Sequence, residues 1–557
     1  MKGVGQRFFK LPAKSKRPLY LITATAAVAA LAHQSNPNHA TPFLDDLPLP
    51  SSIAVGFHAI ARSSRALYTI ASNVIDYKYS LHGLSPDSDE YRSKMSEVHL
   101  RSAKRILKLC EVNKGFYVKA GQFVASLRPV PTEYSSILSS LQDQAVPCHF
   151  KAIREVLINN LGKDLPDIFL LFDEQPIAAA SIAQVHRALL KDHQEVAIKV
   201  QYPSLESQMK IDITTMAILS NVVARIFPEY RFTWMVSEFE KTITLELDFV
   251  QEAKNSERTA RNFKNNRVVT VPRVFWDLTT RQVLTMQFCD GHKVDDLEFL
   301  ETTGINPVKV AKALMEIFAE MICVYGFLHG DPHPGNILVS PKGRGGFSLV
   351  LLDHGIYKEL DEGFRLKYCQ LWKALILQDS CKIQQLGEQF GVGKYARYFP
   401  VIFTGRTIDS KSALGRGMSI EEKRNLKQEL NSLNMGDVSS FMESLPPDFL
   451  TILRTDGLLR SIVRKLGASS RVRLLAYAKY AVYGLATKSD TDAGSAVDYF
   501  LSRFRTRVSY VQLRALVEIL EFLSLVEAFR HSLMDTLKRM LFEAVHFFNR
   551  GFLKLKP

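Results

Sequence analysis

The sequence predicts an α+β fold in which a strand-rich region is flanked by helices. From residue 173 to residue 290, short apolar runs alternate with turn residues, a pattern typical of β-strands. Before and after this region apolar residues recur at helical spacing, for example over residues 91–110 and 362–377. A chain of 557 residues that is 46% hydrophobic and 23% charged can bury a large core, and we expect two or more domains.

The amino-terminal segment is basic. Residues 1–44 contain six Lys or Arg and no Asp or Glu, and the whole chain has a net charge of +14. A basic, acid-free start is typical of an organelle transit segment, which we place at residues 1–42. The alternative is a membrane anchor, but Leu19–Ala32 supplies fourteen residues, whereas a spanning helix needs about 20. A mitochondrion is the expected destination, with a plastid as the alternative.

Helices are expected to precede the strands. Mixed apolar and small residues fill positions 52–82, and helical patterns follow at Tyr91–Cys110, Phe116–Leu127 and Tyr134–Gln144. Prolines separate the last two patterns. Residues 43–165 are therefore predicted to form a helical extension in front of the main domain.

A β-hairpin is predicted next. Two strand patterns, Gln184–Leu190 and Glu195–Val200, flank the polar turn Lys191–Gln194. The second strand reads VAIK and places Lys199 where a protein kinase has the lysine that contacts the α and β phosphates of ATP. A lysine at the end of a β-branched strand is common, so this prediction depends on a second motif that lies further along the chain.

An alanine-rich segment precedes the hairpin, at the place of a kinase glycine-rich loop. It reads PIAAASIAQVH and includes Ala178, Ala179, Ala180 and Ser181. Because alanine carries a Cβ, it cannot adopt positive φ cheaply or let a phosphate approach as closely as glycine does. We expect nucleotide binding here to differ from that of an ordinary kinase. The alternative is a strand edge or helix start with small residues for packing.

The run HGDPHPGNIL at residues 329–338 carries the clearest chemical signal. Asp331 and Asn336 have the spacing of the kinase catalytic loop, in which the Asp handles the attacking hydroxyl and the Asn binds Mg²⁺. Asp353 follows an apolar run and begins DHG, as the second metal-binding Asp of a kinase does. His329 and His333 are expected to form structural hydrogen bonds, since Mg²⁺ prefers oxygen ligands.

Other segments fit the same chemistry. VLTMQF at Val283–Phe288 predicts the strand before a hinge at which backbone groups would meet adenine, and Val310–Tyr325 predicts the helix before the catalytic loop. A helical pattern at Glu362–Leu377 follows DHG almost directly, so neither a long activation segment nor a peptide-docking platform is expected. Gly330 replaces the Arg of the kinase HRD motif, so this Arg cannot pair with a phosphorylated activation loop.

Two further features each admit two interpretations. Arg454–Lys488 contains eight Lys or Arg against the single Asp456, which suits a patch for anionic lipid or phosphate and equally a solvated helix face. The carboxy-terminal region has two apolar sets at helical spacing, which would pack on the main domain or lie on a membrane or partner. These sets are Leu513, Leu516, Val517, Leu520 and Leu523, and Leu533, Leu537, Met540, Leu541, Ala544 and Val545.

The cysteines and the charge pattern argue against several classes of protein. The six cysteines are scattered without a CxxC pair, which argues against a disulfide framework or a zinc ribbon and fits a reducing compartment. The basic stretches lack the aromatic platforms and recognition motifs of nucleic-acid binders, so no nucleic acid is expected as a partner.

Together these motifs resemble the UbiB family, the aarF-domain-containing atypical kinases, and within it the aarF-domain-containing kinase one subgroup. The resemblance covers about residues 90–480. Its signatures are KAGQ at Lys119–Gln122, LQDQ at Leu141–Gln144, the alanine-rich segment, VAIK, ELDFVQEAKN from Glu246, HGDPHPGN and DHG. The key residue of each signature is present, so the resemblance implies an intact active site.

The resemblance also implies a two-lobed, protein-kinase-like fold. Its amino-terminal lobe would be residues 166–290, its carboxy-terminal lobe residues 291–488, and a helical extension would follow at 489–557. The KAGQ helices would lie over the cleft and occupy ground where a peptide would otherwise dock. Lys119 and Gln122 would then join the alanine-rich segment in ATP binding.

The resemblance assigns roles to the acidic residues of ELDFVQEAKN as well. Glu246 and Asp248 would be associated with the KAGQ lid, and Glu252 would pair with Lys199. Asp248 and Glu252 are also four residues apart on one predicted helical face, where ordinary surface charges are the alternative.

The resulting hypothesis is an ATP-binding, Mg²⁺-dependent atypical kinase or ATPase at a mitochondrial membrane, supporting prenylquinone or lipid metabolism as the resemblance implies. Asp331 and Lys199 would be its catalytic residues, and Asn336 and Asp353 its Mg²⁺ ligands. Its expected partners besides ATP are an anionic lipid surface and proteins of a lipid or prenylquinone pathway. The alternatives are a small-molecule phosphotransferase of the aminoglycoside or choline kinase kind, a nucleotide-gated scaffold with little turnover and, third, a protein kinase.

Overall fold

The computed structural model divides into two compact units, which are described separately. The first comprises Met1–Leu165, Asp173–His186 and Lys199–Ile243, and the second comprises Pro166–Phe172, Arg187–Ile198 and Thr244–Pro557. The predicted transit segment, residues 1–42, lies outside the described residues. The structure describes residues 51–85, 88–126, 130–143, 147–228, 233–408, 410, 418–431, 440–441, 444–491, 504–519, 522, 526, 529–530, 533–534 and 536–541.

Helices form most of the first unit, which confirms the predicted helical extension. The helices up to residue 226 are α1, Ser51–Ser80; α2, Asp89–Asn113; α3, Phe116–Ser126; α4, Thr132–Leu138; α5, Phe150–Leu161; α6, Leu165–Ile168; and α7, Leu205–Ile226. Ser88 caps α2 by accepting a hydrogen bond from the Tyr91 N–H at 3.1 Å. The helix predicted as far as Gln144 passes instead into a 3₁₀ turn at Ser139–Asp143.

A buried ion pair joins α1 to α7. Arg62 donates from Nε to Oδ1 of Asp212 at 3.1 Å, and both side chains are at most 10% exposed. Further along both helices, the Lys78 ammonium lies 4.6 Å from the centre of the Phe227 ring. Because residue numbers rise together along the two helices, α1 and α7 pack in parallel.

A five-stranded sheet contains the predicted hairpin. Its strands are β1, Phe169–Phe172; β2, Ala178–Ala179; β3, Ala183–Leu190; β4, Glu195–Gln201; and β6, Val283–Gln287. The strand order is β1–β3–β4–β6, and β2 pairs with β3. β3 and β4 form the predicted hairpin and β6 is the strand predicted before the hinge, so these three assignments are confirmed.

Two further sheets lie in the second unit. The strands β5, Val269–Thr270; β7, His292–Lys293; β9, Ile337–Pro341; and β10, Phe347–Leu351 are arranged in the order β5–β10–β9–β7. A separate antiparallel pair consists of β8, Phe327–His329, and β11, Tyr357–Glu359. The HGDPHPGN segment therefore begins at the end of β8 and ends at the start of β9.

The remaining helices surround these sheets along the chain. They are α8, Thr233–Glu246; α9, Phe249–Asn262; α10, Leu297–Thr302; α11, Pro307–Glu320; α12, Glu362–Leu377; α13, Ser380–Gln389; α14, Phe399–Thr404; α15, Ile420–Asn431; α16, Pro447–Lys465; and α17, Ser470–Thr491. α12 has the predicted bounds. The helix predicted as far as Tyr325 becomes a π-helical turn at Met321–Tyr325, which Gly326 ends with a φ of 59°.

The basic stretch from Arg454 to Lys488 lies mainly on α16 and α17. Arg473 is 3% exposed and donates to Oδ1 of Asp456 at 3.0 Å. Four more of the eight cations lie within 3.2 Å of a carboxylate, namely Arg460, Lys465, Arg471 and Lys479. Five of the eight thus have carboxylate partners within the chain, which favours a packed and solvated helix face over an open anion-binding patch.

The two carboxy-terminal apolar sets differ in burial. Leu513 and Val517 are 6% and 2% exposed, as expected for packing on the main domain. On one helical stripe further along, Phe522, Val526, Phe529, Leu533, Leu537 and Met540 are 46–70% exposed, so packing is the wrong interpretation for the second set. Leu520, Leu523, Ala544 and Val545 lie outside the described residues. Among the helices that the structure describes, none combines the length and apolarity needed to cross a membrane.

Candidate active site

The HGDPHPGN loop is held by hydrogen bonds of its own. The Asp331 N–H donates to Nδ1 of His329 at 3.1 Å, and the Asp331 carbonyl accepts from the His333 N–H at 2.8 Å. Asn336 donates to the same carbonyl from Nδ2 at 3.1 Å. His333 Nδ1 accepts from the Gly335 N–H at 3.2 Å. Both histidines therefore have the structural role predicted for them, and three bonds fix the backbone of Asp331.

Asn336 and Asp353 lie next to the ends of two paired strands. Asn336 immediately precedes β9, and Asp353 follows β10 after one intervening residue. The antiparallel register places Leu351 opposite Ile337, and the Leu352 N–H donates to the Asn336 carbonyl at 3.0 Å. This pairing couples the backbone positions of the two predicted Mg²⁺ ligands.

Gly330, in place of the kinase HRD arginine, has a steric explanation. Its N–H donates to the Ile356 carbonyl at 2.9 Å. A Cβ at position 330 would lie 2.8 Å from Cγ2 of Ile356, closer than side-chain atoms approach one another. The catalytic loop and the segment after DHG therefore approach each other closely because this residue is glycine.

His329 is an uncharged support for the loop. It is 1% exposed, and its ring centre lies 5.1 Å from that of Tyr357. Burial lowers the pKa of the imidazole, and the negative charges of Asp353 and Asp331 offset this only in part. The ring is neutral at pH 7, which agrees with the role of Nδ1 as an acceptor.

Three acidic side chains meet beside DHG. A Cβ built on Gly355 would lie 3.2 Å from Asp353 Oδ1, 3.6 Å from Glu252 Oε2 and 3.7 Å from Glu246 Cγ. Glu252 is 1% exposed and Glu246 is 6% exposed. Buried carboxylates this close together repel one another unless positive charge balances them.

The ELDFVQEAKN segment spans the end of one helix and the start of the next. Glu246 is the last residue of α8, and Asp248 caps α9 by accepting from the Val250 and Gln251 N–H groups at 3.0 and 3.2 Å. The surface-charge alternative is wrong for Asp248, which is a helix cap, and for Glu252, which is buried.

His354 of DHG has a hydrogen-bond partner at every polar atom. Its Nε2 lies 3.0 Å from the Leu351 carbonyl, which can only accept, so Nε2 carries the proton and Nδ1 accepts from the Tyr357 hydroxyl at 3.0 Å. Its N–H donates to Glu252 Oε1 at 3.3 Å, and its carbonyl accepts from Asn255 Nδ2 at 3.0 Å. Nothing in the sequence motifs predicted the bonds from Asn255 and Tyr357.

In the first unit, KAGQ packs α3 against its neighbours. A Cβ on Gly121 would collide with Cδ1 of Leu141 and lie 3.2 Å from Sγ of Cys110. Gln122 donates from Nε2 to the Leu141 carbonyl at 2.9 Å, which joins KAGQ to the start of LQDQ. Gln122 thus has a structural bond, and its ATP-binding role stays a prediction, as does that of the half-buried Lys119.

The alanine-rich segment forms the turn of the β2–β3 hairpin. Ala178 and Ala179 pair with β3, and the Ala180 N–H donates to the Ala183 carbonyl at 2.8 Å. None of the residues Ala178–Ser181 has positive φ, so their Cβ atoms cause no backbone strain here. The segment is a hairpin turn in the position of a kinase glycine-rich loop, and its contact with ATP stays a prediction.

Lys199 and the hinge segment complete the set of predicted residues. Lys199 lies near the end of β4 and is 9% exposed, so it is not an ordinary solvated strand lysine. In the second unit, the Phe288 N–H after β6 donates to the Glu195 carbonyl at 3.1 Å. A Cβ on Gly291 would lie 2.9 Å from the Val339 carbonyl oxygen, so the chain after β6 passes close to β9.

The side chains of the second unit are suited to Mg²⁺. Asn336 uses its amide nitrogen to bond Asp331, so its oxygen is the end that a cation would take, and Asp353 adds a carboxylate. No cluster of three or more His, Cys, Asp or Glu side chains within the described ranges is arranged to hold a metal ion. Mg²⁺ commonly takes one or two protein ligands and completes its shell with phosphate oxygens and water, which fits this pair.

Comparison with known proteins identifies the family. A sequence model of the ABC1 atypical kinase-like domain matches residues 140–387. AarF domain-containing protein kinase 1 of Mus musculus is 38% identical over 463 residues, which cover 82% of this chain and 87% of that protein. This chain belongs to the ABC1/AarF family of atypical kinases. The predicted UbiB resemblance and the α+β, protein-kinase-like fold class are therefore confirmed.

Other ABC1/AarF relatives show similar coverage. AarF domain-containing kinase 1 of Drosophila melanogaster is 34% identical, covering 74% of this chain and 81% of that protein. A probable serine/threonine-protein kinase, abkB, of Dictyostelium discoideum is 36% identical, covering 78% of this chain and 64% of its own length. Among solved structures, that of the Rv3197–erythromycin complex from Mycobacterium tuberculosis covers 71% of this chain and 99% of its own, with 21% identity and a TM-score of 0.46.

Proposed function

We propose that this ABC1/AarF protein is an ATP- and Mg²⁺-dependent phosphotransferase or ATPase that works at a mitochondrial membrane in prenylquinone or lipid metabolism. A plastid membrane is the alternative location. The observation that carries the proposal is the shared support of Asp331, Asn336 and Asp353 by one hydrogen-bonded loop and one strand pair. Phosphoryl transfer depends on positioning and charge neutralisation, and fixed oxygen donors serve both needs.

Each predicted residue has a task in this proposal. Asp331 would orient an acceptor hydroxyl and take its proton, or orient a water if the reaction is hydrolysis. Lys199 would hold ATP phosphates, and Asn336 and Asp353 would hold Mg²⁺. The cation, when bound, supplies positive charge to the phosphate oxygens. His329 keeps the Asp331 backbone in place without carrying charge itself.

The short connection after DHG favours a small acceptor or water over a peptide. Gly355 is followed within seven residues by the start of α12 at Glu362, and strand β11 occupies part of that interval. The chain is described without a gap from residue 233 to residue 408, and no activation segment of kinase length lies between DHG and α12 in it. A peptide would therefore lack its usual platform on this side of the site.

Exposed apolar side chains support the membrane part of the proposal. The carboxy-terminal stripe from Phe522 to Met540 is one such surface. The parallel helices α1 and α7 provide another in the first unit, where isoleucine and leucine side chains are 53–67% exposed beside the exposed cations Lys210 and Arg225. Apolar surface flanked by cations suits the interface of an anionic bilayer. The side chains concerned are Ile60, Leu67, Ile75 and Ile218.

The test is Mg²⁺-dependent ATP turnover by the full chain, with and without vesicles that contain an anionic phospholipid. Asp353→Ala is the blank, and vesicles of neutral phosphatidylcholine are the lipid control. We expect turnover that the anionic vesicles raise and that the variant lacks. Equal hydrolysis by the variant would remove the proposed chemistry, and equal turnover on neutral vesicles would remove the electrostatic part of the membrane role.

A nucleotide-gated scaffold is the second candidate function. The exposed apolar surfaces in both units favour it, because they offer docking area that phosphoryl transfer does not need. Asp331→Asn separates the two candidates, since it removes the proton acceptor and leaves Asn336 and Asp353 intact. Full activity of this variant in cells would favour the scaffold, and loss of activity would favour the enzyme.

A further inference from the structure

Helix α9 contacts the DHG segment through three side chains of one face. Glu252, Asn255 and Thr259 are three and four residues apart, the spacing that aligns side chains along an α-helix. They are 1%, 7% and 1% exposed. Each one bonds a different atom of the stretch from His354 to Tyr357.

Asn255 has the central position in this contact. Its Nδ2 donates to the His354 carbonyl at 3.0 Å, and its Oδ1 accepts from Gln251 Nε2 at 2.9 Å, which fixes the orientation of the amide. The Thr259 hydroxyl oxygen lies 2.9 Å from that of Tyr357. The Tyr357 hydroxyl in turn donates to the His354 ring.

Bonds from α9 therefore hold His354 at both of its backbone polar groups. Glu252 accepts from the N–H and Asn255 donates to the carbonyl. The peptide unit that leads from Asp353 into His354 cannot rotate without breaking the first bond, and the one that follows cannot rotate without breaking the second. A buried carbonyl that loses its donor pays a desolvation penalty, so such rotation is opposed.

We propose that Asn255 is a positioning residue for Asp353, and that α9 holds the DHG segment in the arrangement that presents Asp353 to Mg²⁺. This inference rests on the proposed Mg-ATP function. Asn255 itself bonds the protein backbone and Gln251, and acts on the cation only through the segment it holds.

The first test is amide hydrogen exchange of the full chain without nucleotide, in wild type and in Asn255→Asp. The substitution keeps the shape of the side chain but replaces its donor by a second acceptor facing the His354 carbonyl. We expect the amides of His354 and Gly355 to exchange roughly tenfold faster, the loss of about one buried hydrogen bond in local stability. Amides of β9 should be unchanged.

Asn265→Asp is the matched control, because it makes the same change of charge at an exposed position just beyond α9. Equal exchange at DHG in the two variants would overturn the inference. An increase of the same size throughout the second unit would also overturn it, since this would show a role in overall stability only. If Asn255→Asp does not fold, Gln251→Ala frees the Asn255 amide and should raise DHG exchange by a smaller factor.

The second test is the Mg²⁺ concentration that gives half-maximal ATP turnover. For Asn255→Asp we expect it to rise roughly tenfold, as for residues that orient a metal ligand, with a smaller change in kcat at saturating Mg²⁺. An unchanged Mg²⁺ requirement would overturn the positioning role. If wild type shows no turnover, the proposed function fails, and the exchange experiment still decides whether α9 holds the DHG segment.

Discussion

The DHG region and the KAGQ region are equally clear in the sequence, but the structure uses their residues differently. Around Asp331 and Asp353, polar side chains bond the backbone of the segments that carry the predicted catalytic groups. In KAGQ, Gly121 and Gln122 serve helix packing through Leu141. A sharp motif therefore marks a structural constraint, and only its contacts tell chemistry from packing.

The largest expected effect tests the chemical side of this comparison. Asp331→Asn removes the proton acceptor and preserves shape, so we expect ATP turnover to fall by roughly 10²–10⁴-fold. Steady-state turnover of the full chain measures it, and Asp277→Asn, an exposed position in the second unit, is the control. Turnover within a few-fold of wild type would mean that Asp331 belongs with the packing residues.

A substitution in KAGQ tests the packing side. Gly121→Ala places a methyl group against Leu141 and should lower the free energy of unfolding by about 1–3 kcal/mol, the usual cost of overpacking. Urea denaturation measures the change. The double variant with Leu141→Ala should lose less than the sum of the two single variants, and strict additivity would contradict the contact.

Gln122→Ala sharpens the comparison within the same motif. Loss of its bond to the Leu141 carbonyl should cost about 1 kcal/mol of stability and leave the KM for ATP unchanged. Lys119→Ala, one turn earlier on α3, is the companion variant, and we expect it to change nucleotide binding instead. A raised KM in Gln122→Ala would restore the ATP-binding role that the family resemblance implies.

A pH dependence should be common to both units. Burial lowers the pKa of His186 in the first unit and of His329 in the second, below the value of 6.5 of an unperturbed histidine. The unfolded chain then binds more protons than the folded chain below about pH 6.5, so stability falls as the pH falls through this range. The urea midpoint should be lower at pH 5.5 than at pH 7.5. His186→Gln and His329→Gln should each reduce the difference, and an unchanged difference in both would contradict the assignment.

The smallest expected effect concerns the alanine-rich turn. Because Ala179 does not have positive φ, Ala179→Gly should change stability little, yet it removes a Cβ from the turn that would meet phosphate. We expect the ratio of ATP to ADP affinity to change. Isothermal titration with both nucleotides measures it, and identical affinities in the two proteins would remove the idea that this alanine tunes nucleotide binding.

Much of the fold was predictable because its elements have strong local patterns. α12 and the β3–β4 hairpin match their predicted positions closely, since helical periodicity and turn residues set their limits. The 3₁₀ turn after α4 and the π-helical turn after α11 were missed. Their hydrogen-bond patterns differ from an α-helix by one residue, and side-chain periodicity does not resolve such a difference.

The candidate site was predictable only as a list of residues. Motif spacing located Asp331, Asn336 and Asp353, because phosphoryl transfer restricts residue type at fixed offsets. Asn255 and Thr259 were missed since they act on backbone and on another side chain about 100 residues away along the chain. Their spacing after Glu252 on one helical face was the available signal, and it needed a known partner to be meaningful.

The buried pair between Arg62 and Asp212 limits where the amino terminus can be cut. Any maturation cleavage or shortened expression clone that removed α1 would leave the Asp212 carboxylate buried without its guanidinium, a loss of about 3–5 kcal/mol. A leader peptidase must therefore act before Ser51 if the product is to stay folded. Mass spectrometry of the amino terminus of the protein from its own organelle would show whether this boundary is respected.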